Sequence, residues 1–380
     1  MSSQLSAPRA EVVVDLDAIR HNVALLSGRA AASGAATMAV VKADAYGHGA
    51  LPVARAALGA GASWLGACSL KEALALRSAG ITAPILSWLE TPVVDFTPGI
   101  SAGIDLSASS SAELARIDAA AERAGQRARV HLKIDTGLSR NGCPQQLWPA
   151  LCADAASARH VEVVAIWSHL ACADEPGHPS IDEQGKRFEA AYQVAREAGL
   201  RPKRHLANSA ATLTRPDFHY DMVRTGIAIY GLNPVDTDDD LRPAMTFRSS
   251  VALVKRIPAG ESVSYGHTWT AATDTNLALV PVGYADGVPR TLSGRMEVWL
   301  GGRRRPVVGR VCMDQIVVNC GDYEPRLGEE VVLFTHGRSG EPTAREWADT
   351  LGTIDYEIVT GMYRPRVVRR YVGTETGAAV

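Results

Sequence analysis

The stretch MAVVKADAYGHGA, residues Met38–Ala50, decides the fold, because a short apolar run leads there into a lysine and then into a polar, glycine-containing segment. The run Met38–Val41 predicts a buried parallel strand, and the residues from Asp44 onward predict a loop. Lys42 would then stand at the carboxyl end of the strand, where α/β proteins bind ligands. Desolvation there is expected to lower the lysine pKa and to favour the neutral amine, which can form a Schiff base. The alternative is a lysine that ends a strand and extends its ammonium group into solvent.

The scarcity of lysine favours the first interpretation. Of the 39 basic residues only six are lysine, and the remaining 33 are arginine. Where positive charge alone is needed, this chain therefore uses arginine. A lysine at a strand end indicates a task that arginine cannot perform, namely losing its proton and attacking a carbonyl.

Length and composition limit the function classes. The chain has 380 residues, 46% of them hydrophobic, which is enough for a large core and for two domains. The net charge is −2, and basic residues cluster only at Arg303–Arg305 and Arg364–Arg370, so nucleic acid is not expected as a partner. No apolar h-region or membrane-length apolar run is found, which predicts a soluble, cytoplasmic protein without membrane contacts. The six cysteines are scattered, and we expect reduced thiols and no metal site.

Strand-like apolar runs alternate with helical stretches over the first part of the chain. Glu11–Asp15 predicts a strand, and apolar residues at helical spacing predict a helix over Leu16–Ser27, which Asp15 or Asp17 could cap. Further strand candidates follow Met38–Val41 and, with the first strand, number about eight. They are Trp64–Ala67, Pro84–Leu86, Gly103–Leu106, Val130–Ile134, Val161–His169, Arg204–Ala207 and Met222–Arg224. The pattern predicts a closed parallel (β/α)8 barrel of the TIM type; the alternative is a doubly wound open sheet, although no G-x-G-x-x-G follows the first strand.

Polar residues recur at the ends of these predicted strands. They are Lys42, Lys133 with Asp135, His169, Asn208 with Ser209, and Arg224 followed by Thr225 and Gly226. One such residue would mean little, since a lone histidine at a strand end is more often a core residue. In a barrel all of these ends open on one mouth, so the repetition predicts a shared site.

The sequence changes character after the acidic run Asp236–Asp240. Strand signals then follow one another, separated by Gly, Pro and Asp turns, with one short helix predicted at Thr343–Leu351. The strand signals are Phe247–Ile257, Leu277–Val282, Met296–Leu300, Pro306–Val311, Ile316–Val318 and Val331–Phe334. We therefore expect a barrel domain over residues 1–240 and a mostly antiparallel β domain over 241–380, with residues 1–14 as a strand that could join the β domain.

Segments spread over most of the chain match the motifs of one family. They are Val41–Gly49 (VKADAYGHG), Lys133–Arg140 (KIDTGLSR), Ser168–Ala171 (SHLA), His205–Ser209 (HLANS), Val223–Ile227 (VRTGI), Val263–Gly266 (VSYG), Val282–Gly287 (VGYADG), Gly309–Asp314 (GRVCMD) and Tyr356 with Glu357. In this order they resemble alanine racemase, a pyridoxal-phosphate enzyme of fold type III. The resemblance implies a barrel followed by a β domain, pyridoxal 5′-phosphate as cofactor, alanine as substrate, and supply of D-alanine for peptidoglycan. It also implies a homodimer whose active sites are shared between subunits.

The resemblance further assigns the chemistry to particular residues. Lys42 would bind the cofactor as a Schiff base and act as one of two bases, and Tyr265 of the partner subunit would be the other base, on the opposite face of the substrate carbon. A tyrosine with an ordinary pKa needs cationic neighbours for this role, for which His169 and Arg224 are the candidates. Arg224 would also meet the pyridine nitrogen, to which it can donate a hydrogen bond without giving up a proton.

The remaining assignments concern the cofactor, the substrate and the entrance. The other cofactor-binding residues would be His169 and Asn208, together with the phosphate group's partners Tyr46, Ser209, Tyr356 and the backbone amides of Gly226 and Ile227. Arg140 and Met313 would bind the substrate. The surroundings and the entrance would be formed by Lys133, His205, Tyr284, Cys312 and Asp314. In some members of the family the counterpart of Lys133 is carbamylated and holds the arginine in place; a surface pair of Lys133 with Asp135 is the alternative here.

Three other functions are weighed against this one. A non-enzymatic pyridoxal-phosphate carrier would keep Lys42 but has no use for Tyr265 or a second domain. A decarboxylase of the same fold type would be expected to place an acid where Arg224 stands. A racemase of broader or different specificity, for example for serine, is the alternative that the sequence leaves open.

Overall fold

The computed structural model of the chain describes residues 8–373, and these form two units. One unit, the barrel unit, consists of residues 19–45 and 49–241. The other, the β unit, consists of residues 8–18, 46–48 and 242–373 within the described range. The first seven residues of the segment 1–14 and the last seven of the predicted β domain lie outside the described residues.

The barrel unit is built from eight parallel strands. After β1 (Glu11–Asp15) and helix α1 (Leu16–Ala32), the barrel strands are β2 (Ala36–Val40), β3 (Trp64–Ala67), β4 (Ile85–Ser87), β5 (Asp105–Ala108), β6 (Ala128–Lys133), β7 (Val161–Trp167), β8 (Lys203–His205) and β9 (Met222–Thr225). From β2 to β8, consecutive strands pair with one another, and β2 also pairs with β9. The ring closes where the Arg224 amide donates to the carbonyl oxygen of Ala207 at 2.9 Å and the Asp221 amide donates to that of Arg204 at 3.1 Å. The predicted closed barrel is confirmed.

Helices connect the barrel strands. They are α2 (Lys42–Tyr46), α3 (Ala50–Gly59), α4 (Leu70–Ser78), α5 (Thr97–Ser101), α6 (Ser111–Ala124), α7 (Trp148–Ser157), α8 (Pro179–Glu197) and α9 (Ser209–Thr214). Several begin at side-chain caps: in α4 and α6 the hydroxyl groups of Ser69 and Ser110 accept hydrogen bonds from the amides of Glu72 and Glu113. Of the two caps considered for α1, Asp15 is the one found, because its Oδ1 accepts the amides of Asp17 and Ala18.

The interior of the barrel begins with a closely packed apolar layer. Met38, Trp64, Leu86 and Met222 form one buried cluster, to which the ring of Trp88 adds. Because side chains alternate between the two faces of a strand, these residues leave the other face for packing against helices. Gly66 is required here by close approach: a Cβ atom at this position would lie 2.6 Å from the Trp88 ring and 3.1 Å from the Met38 sulfur.

The β unit contains a nine-stranded sheet in the order β11-β14-β17-β16-β15-β18-β10-β1-β19. Its strands after β1 are β10 (Met245–Ser250), β11 (Leu253–Ile257), β14 (Thr275–Val280), β15 (Glu297–Leu300), β16 (Arg303–Val308), β17 (Ile316–Gly321), β18 (Glu330–Phe334) and β19 (Val368–Val372), while β12 (Ser262–Val263) and β13 (Trp269–Thr270) form a separate hairpin. All neighbours in the large sheet are antiparallel except β1 and β19. Helices α10 (Ala344–Leu351) and α11 (Asp355–Thr360) complete this unit. The predicted mostly antiparallel sheet is confirmed.

Local differences from the sequence predictions have physical reasons. Glu11–Asp15 belongs to the large sheet and not to the barrel, because its hydrogen-bond partners are β10 and β19. Phe247–Ile257 is divided into two strands, since the chain leaves one neighbour at Ser250 and joins another at Leu253. Over residues 8–373 no helix combines the length and the apolar character needed to span a membrane.

Two glycine substitutions test the packing of the barrel interior. Gly66→Ala should lower the free energy of unfolding by about 1–3 kcal/mol, because the added methyl group must displace the Trp88 ring. Gly28→Ala, in helix α1, is the matched control: its Cβ atom meets nothing within 4 Å. There we expect a gain of about 0.5–1 kcal/mol from the better helix former. Urea unfolding of both variants measures the difference, and equal effects would contradict the packing described.

Candidate active site

The carboxyl ends of the barrel strands bring together polar side chains that lie far apart in sequence. Lys42 follows β2, Lys133 ends β6, His169 follows β7, His205 ends β8 and Arg224 lies in β9. Since all eight strands are parallel and the sheet is closed, these ends form one rim. We call these five residues the barrel mouth.

Two tryptophan rings line the barrel mouth. The ammonium nitrogen of Lys42 lies 5.9 Å from the centroid of the Trp88 ring, and that of Lys133 lies 4.2 Å from the centroid of Trp167. The Arg224 guanidinium carbon is 4.9 Å from the same Trp167 ring. Faces of indole rings attract cations, so the rings give the three charged groups apolar walls that still stabilise charge. The sequence analysis missed both tryptophans, although each lies at the end of a strand, where the polar residues were sought.

The backbone after Lys42 forms a turn of left-handed helix and not the predicted loop. Ala43, Asp44, Ala45 and Tyr46 have φ values of 51°, 52°, 54° and 53°. Left-handed helical backbone costs L-residues roughly 1–2 kcal/mol each, so four in succession store considerable strain. Such strain persists only where the surroundings impose it, and it is concentrated at functional sites.

The carboxylate of Glu72 constrains the start of this turn. It accepts the Ala43 amide at 2.7 Å, the Cys68 amide at 2.8 Å and the Ser69 amide at 3.2 Å. The Ser69 and Glu72 pair is a capping box of helix α4, so one residue both starts that helix and holds the residue next to Lys42. The S-x-x-E spacing could have revealed the cap, but not the bond to Ala43.

Arg224 is buried, and its guanidinium group is held by backbone carbonyls and two imidazoles. It donates to the carbonyl oxygens of Ser168 at 2.7 Å, His205 at 2.8 Å and Leu206 at 3.2 Å. Its nitrogens also lie 3.3 Å from Nδ1 of His205 and 3.4 Å from Nδ1 of His169. Among residues 8–373 it has no carboxylate partner, and burial lowers its pKa to about 9. It therefore remains a cation at neutral pH.

Burial and positive charge together determine the protonation of the groups at the barrel mouth. Burial, followed by the charge of Arg224, lowers the pKa values of His169 and His205 well below the usual range, so both imidazoles are neutral at pH 7. The expectation that His169 is a cationic neighbour is therefore wrong, and Arg224 is the remaining candidate. Burial and then Arg224 also lower the pKa of Lys133, to about 8. Lys133 is only 5% exposed, so it is not the surface partner of Asp135 that was considered as an alternative.

A set of hydrogen-bond donors surrounds Ser209 at the start of helix α9. The Ser209 hydroxyl oxygen accepts the amides of Gly226 at 2.8 Å and Ala228 at 3.3 Å. The Asn208 side chain caps α9 by accepting the Ala211 amide at 3.0 Å. The Ile227 amide is buried and has no acceptor within the described part of the chain. Of the two amides expected to bind an anion, that of Ile227 is therefore available, whereas that of Gly226 donates to Ser209.

Arg140 and His169 lie on loops that have their own supports. Asp135 Oδ1 accepts the amides of Gly137 and Ser139 and thereby shapes the loop that carries Arg140, which is exposed. Gln184 on α8 holds the loop of His169 by donating to its carbonyl oxygen at 3.0 Å. Sequence reasoning missed Gln184, because its partners Thr136, His169 and Ala171 lie in loops that only the fold brings to α8.

In the β unit, Tyr265 lies in a 3₁₀ turn from Tyr265 to His267 and is 71% exposed. Its neighbours fix this turn: Ser264 has a φ of 66°, and its hydroxyl donates to the Arg310 carbonyl oxygen at 2.9 Å. The same hydroxyl lies 3.4 Å from the Cys312 sulfur. The turn is therefore tied to the segment that contains the other predicted entrance residues.

Those entrance residues come from two segments joined by backbone hydrogen bonds. The Tyr284 amide donates to the Cys312 carbonyl oxygen at 3.0 Å, and the Ala285 amide donates to that of Met313 at 3.0 Å. Met313 and Tyr284 are 52% and 38% exposed, and the Asp314 carboxylate accepts from Arg366 at 2.7 Å. Together with Tyr265, these residues form an exposed group of aromatic and thioether side chains.

The two tyrosines expected to bind phosphate also lie in the β unit. The rings of Tyr46 and Tyr356 are tilted by 50°, with 6.0 Å between their centroids. Tyr46 is the last residue of the left-handed turn that begins after Lys42.

Comparisons with known proteins cover almost the whole chain. Residues 14–234 match the family model for the N-terminal domain of alanine racemase, and residues 244–371 match that for its C-terminal domain. The alanine racemase of Salinispora arenicola is 56% identical over 96% of this chain and 99% of its own. The structure is similar to that of alanine racemase from D-cycloserine-producing Streptomyces lavendulae, with a TM-score of 0.94, 48% identity and coverage of 97% of this chain and 98% of the other. For the enzyme of Streptomyces coelicolor A3(2) the TM-score is 0.93, the identity 50% and the coverage 96% and 98%.

Removal of the Glu72 carboxylate tests its role in the strained turn. Glu72→Ala leaves three amides without their acceptor, so we expect a loss of about 1–3 kcal/mol in unfolding free energy. It should also accelerate hydrogen exchange at Ala43. Glu113→Ala is the matched control, because Glu113 occupies the same position in helix α6 but accepts only the Ser109 amide. Exchange at Ala43 that is as slow in Glu72→Ala as in Glu113→Ala would show that Glu72 does not hold the turn.

Proposed function

Because the chain belongs to the alanine racemase family, whose members are isomerases, we propose that it interconverts L-alanine and D-alanine with pyridoxal 5′-phosphate and supplies D-alanine for peptidoglycan. The observation that carries this proposal is the composition of the barrel mouth. Lys42 there is half-buried, and Arg224 is buried without a carboxylate partner among the described residues. The Ser209 hydroxyl and the Ile227 amide add hydrogen-bond donors. These groups suit an aldehyde, a ring nitrogen that accepts hydrogen bonds, and an anion.

The residues present fit this cofactor. The buried Ile227 amide without an acceptor and the Ser209 hydroxyl at the start of α9 are donors for its phosphate group. Tyr46 and Tyr356 would add their hydroxyl groups. Lys42 would supply the amine to which the cofactor is attached. Asn208 and His169 would contact the pyridine ring of the cofactor. When bound, the cofactor makes the Cα proton of an attached amino acid acidic enough for removal by a side chain.

Racemisation then requires two bases on opposite faces of Cα. The Lys42 amine would take or return a proton on one face, and the Tyr265 phenol on the other. Tyr265 is 71% exposed, and Met313 and Tyr284 of the same group are exposed as well. This exposure supports the contribution of Tyr265 to the active site of a partner subunit. Cys312 and Asp314 belong to the same group and would shape the entrance of the partner's site.

Arg224 and Arg140 would position the reacting groups. Arg224 can donate to the ring nitrogen but cannot pass it a proton at neutral pH. Burial and, after it, the charge of Arg224 lower the pKa values of His169 and His205. Arg140 would bind the substrate carboxylate. The Lys133 amine, with a pKa of about 8, is partly neutral near pH 7, and the neutral amine is the form that adds CO2. This supports a carbamylated Lys133 that holds Arg140.

The attachment site and the reaction are tested together. The wild-type protein, loaded with pyridoxal phosphate and reduced with borohydride, should carry the pyridoxyl group on Lys42, and it should interconvert the enantiomers of alanine. Lys42→Arg should show neither property while retaining its fold. Peptide mapping that finds the group on Lys133 would overturn the assignment. Initial rates with a panel of L-amino acids distinguish alanine from serine or a broader range, and faster turnover of serine would replace the proposed substrate.

A mixing experiment tests whether Lys42 and Tyr265 act across subunits. Lys42→Ala and Tyr265→Ala homodimers should each be nearly inactive, since every site lacks one base. After subunit exchange, half of the dimers are mixed, and one of the two sites in each mixed dimer is intact. Activity should therefore return to roughly a quarter of the wild-type value. Co-purification of differently tagged subunits verifies exchange, and exchange without recovered activity would place both bases in one chain.

A further inference from the structure

A hydrogen-bonded chain of polar side chains runs through the interior of the barrel. From Arg224 it passes to His205, then to His131 and Asp105, and ends at Arg129. His205 Nε2 lies 2.9 Å from His131 Nδ1, and His131 Nε2 lies 3.2 Å from Asp105 Oδ2. Arg129 donates to both carboxylate oxygens of Asp105, at 2.8 and 3.3 Å. Barrel interiors are usually filled by branched apolar residues. Four buried polar residues joined by hydrogen bonds, namely Arg224, His205, His131 and Asp105, therefore indicate a function.

The partners of each imidazole assign its tautomer. A guanidinium group can only donate, so His205 must present the lone pair of Nδ1 to Arg224, 3.3 Å away. Burial keeps His205 neutral, and its proton is therefore on Nε2, from which it donates to His131. His131 accepts at Nδ1, carries its own proton on Nε2 and donates it to Asp105. Between Arg224 and Asp105, each donor thus points toward the carboxylate, which Arg129 approaches from its other side.

Aromatic rings hold both imidazoles in this arrangement. The Trp167 ring is stacked on His205, with 5.6 Å between centroids and 6° between planes. The Trp64 ring meets His131 edge on at 5.5 Å. Trp167 is itself fixed by a hydrogen bond from its indole nitrogen to the Ser107 hydroxyl at 3.0 Å. Neither imidazole can flip about its Cβ–Cγ bond, which would replace its hydrogen-bonding nitrogens by carbons, without displacing a tryptophan.

We propose that His131 and Asp105 are positioning residues for Arg224, an inference that rests on the proposed function because it gives Arg224 its role at the cofactor. The Asp105 carboxylate fixes the tautomer of His131, which fixes that of His205, and His205 then accepts from Arg224. Through His131 and His205, the negative charge of Asp105 also stabilises the Arg224 guanidinium group. Arg224 itself has no carboxylate partner among residues 8–373. The direction of the Arg224 donors toward the cofactor is thereby set from the opposite side of the barrel.

Histidine tautomers provide a direct test that does not depend on activity. The holoenzyme labelled with 15N-histidine should show, in long-range 1H–15N spectra at pH 7, neutral Nε2–H tautomers for His205 and His131. Signals are assigned with His131→Asn and His205→Asn. A protonated His205, or one with its proton on Nδ1, would overturn the proposal. Absence of racemase activity in the wild-type protein would overturn the proposed function and leave the tautomer result standing.

Two substitutions of Asp105 test the dependence of the chain on its carboxylate. Asp105→Leu removes the acceptor of His131, so both histidines should become mixtures of tautomers. The dissociation constant of pyridoxal phosphate should then rise, and kcat fall, by about ten-fold or more, the equivalent of one lost hydrogen bond. Asp105→Asn keeps an acceptor oxygen and should retain the Nε2–H tautomers and most of the activity.

A second histidine–aspartate pair supplies the matched control. Asp118 accepts the His160 amide at 2.8 Å and lies 3.7 Å from the His160 ring, but has no connection to Arg224 through the described hydrogen bonds. Asp118→Leu should therefore alter stability without changing the His205 tautomer, cofactor affinity or kcat. If Asp105→Leu leaves the His205 tautomer unchanged, or affects cofactor affinity no more than Asp118→Leu does, His131 and Asp105 only fill the core. If Asp105→Leu does not fold, Asp105→Asn decides, because a lost Nε2–H tautomer there contradicts the proposal.

Discussion

The burial of one arginine without a carboxylate partner among the described residues is the constraint on which the barrel mouth depends. The guanidinium group of Arg224 donates hydrogen bonds to three backbone carbonyls and lies close to two imidazoles, all at neighbouring strand ends. Those acceptors receive hydrogen bonds from its two terminal nitrogens but do not neutralise its charge. The uncompensated charge lowers the pKa values of Lys133, His169 and His205, after the effect of burial. Anionic ligands are the ones that such a site stabilises.

The sequence predicted the barrel and its rim because both depend on local patterns. A short apolar run followed by polar residues identifies a strand end, and closed parallel sheets collect strand ends without further information. The position of Lys42 followed from that rule alone. Glu11–Asp15 shows the limit of such patterns: the apolar run predicts a strand, but its partners β10 and β19 are more than 200 residues away, and they decide which sheet it joins.

The supports of the site could not be predicted for the same reason. Glu72 lies in a recognisable capping box, yet its bond to Ala43 spans 29 residues and exists only because β2 and β3 are neighbours. The left-handed turn after Lys42 contradicts local propensity, since alanine does not favour positive φ. His131 shares the inward face of β6 with Lys133, which the alternation of a strand would indicate, but its partners lie 26 and 74 residues away. Tertiary geometry overrides propensity where function requires strain.

The burial of position 224 also explains why arginine and not lysine occupies it. Desolvation lowers the pKa of Arg224 to about 9, which still leaves the guanidinium group charged at pH 7. A lysine begins about two units lower, so the same burial would leave an ammonium group at this position only partly charged. It would also offer three donors where Arg224 uses its planar fork to reach carbonyls on both sides. Lys133, in the same rim, already has a pKa of about 8. Arginine therefore keeps its charge at a buried position where lysine would lose much of its own.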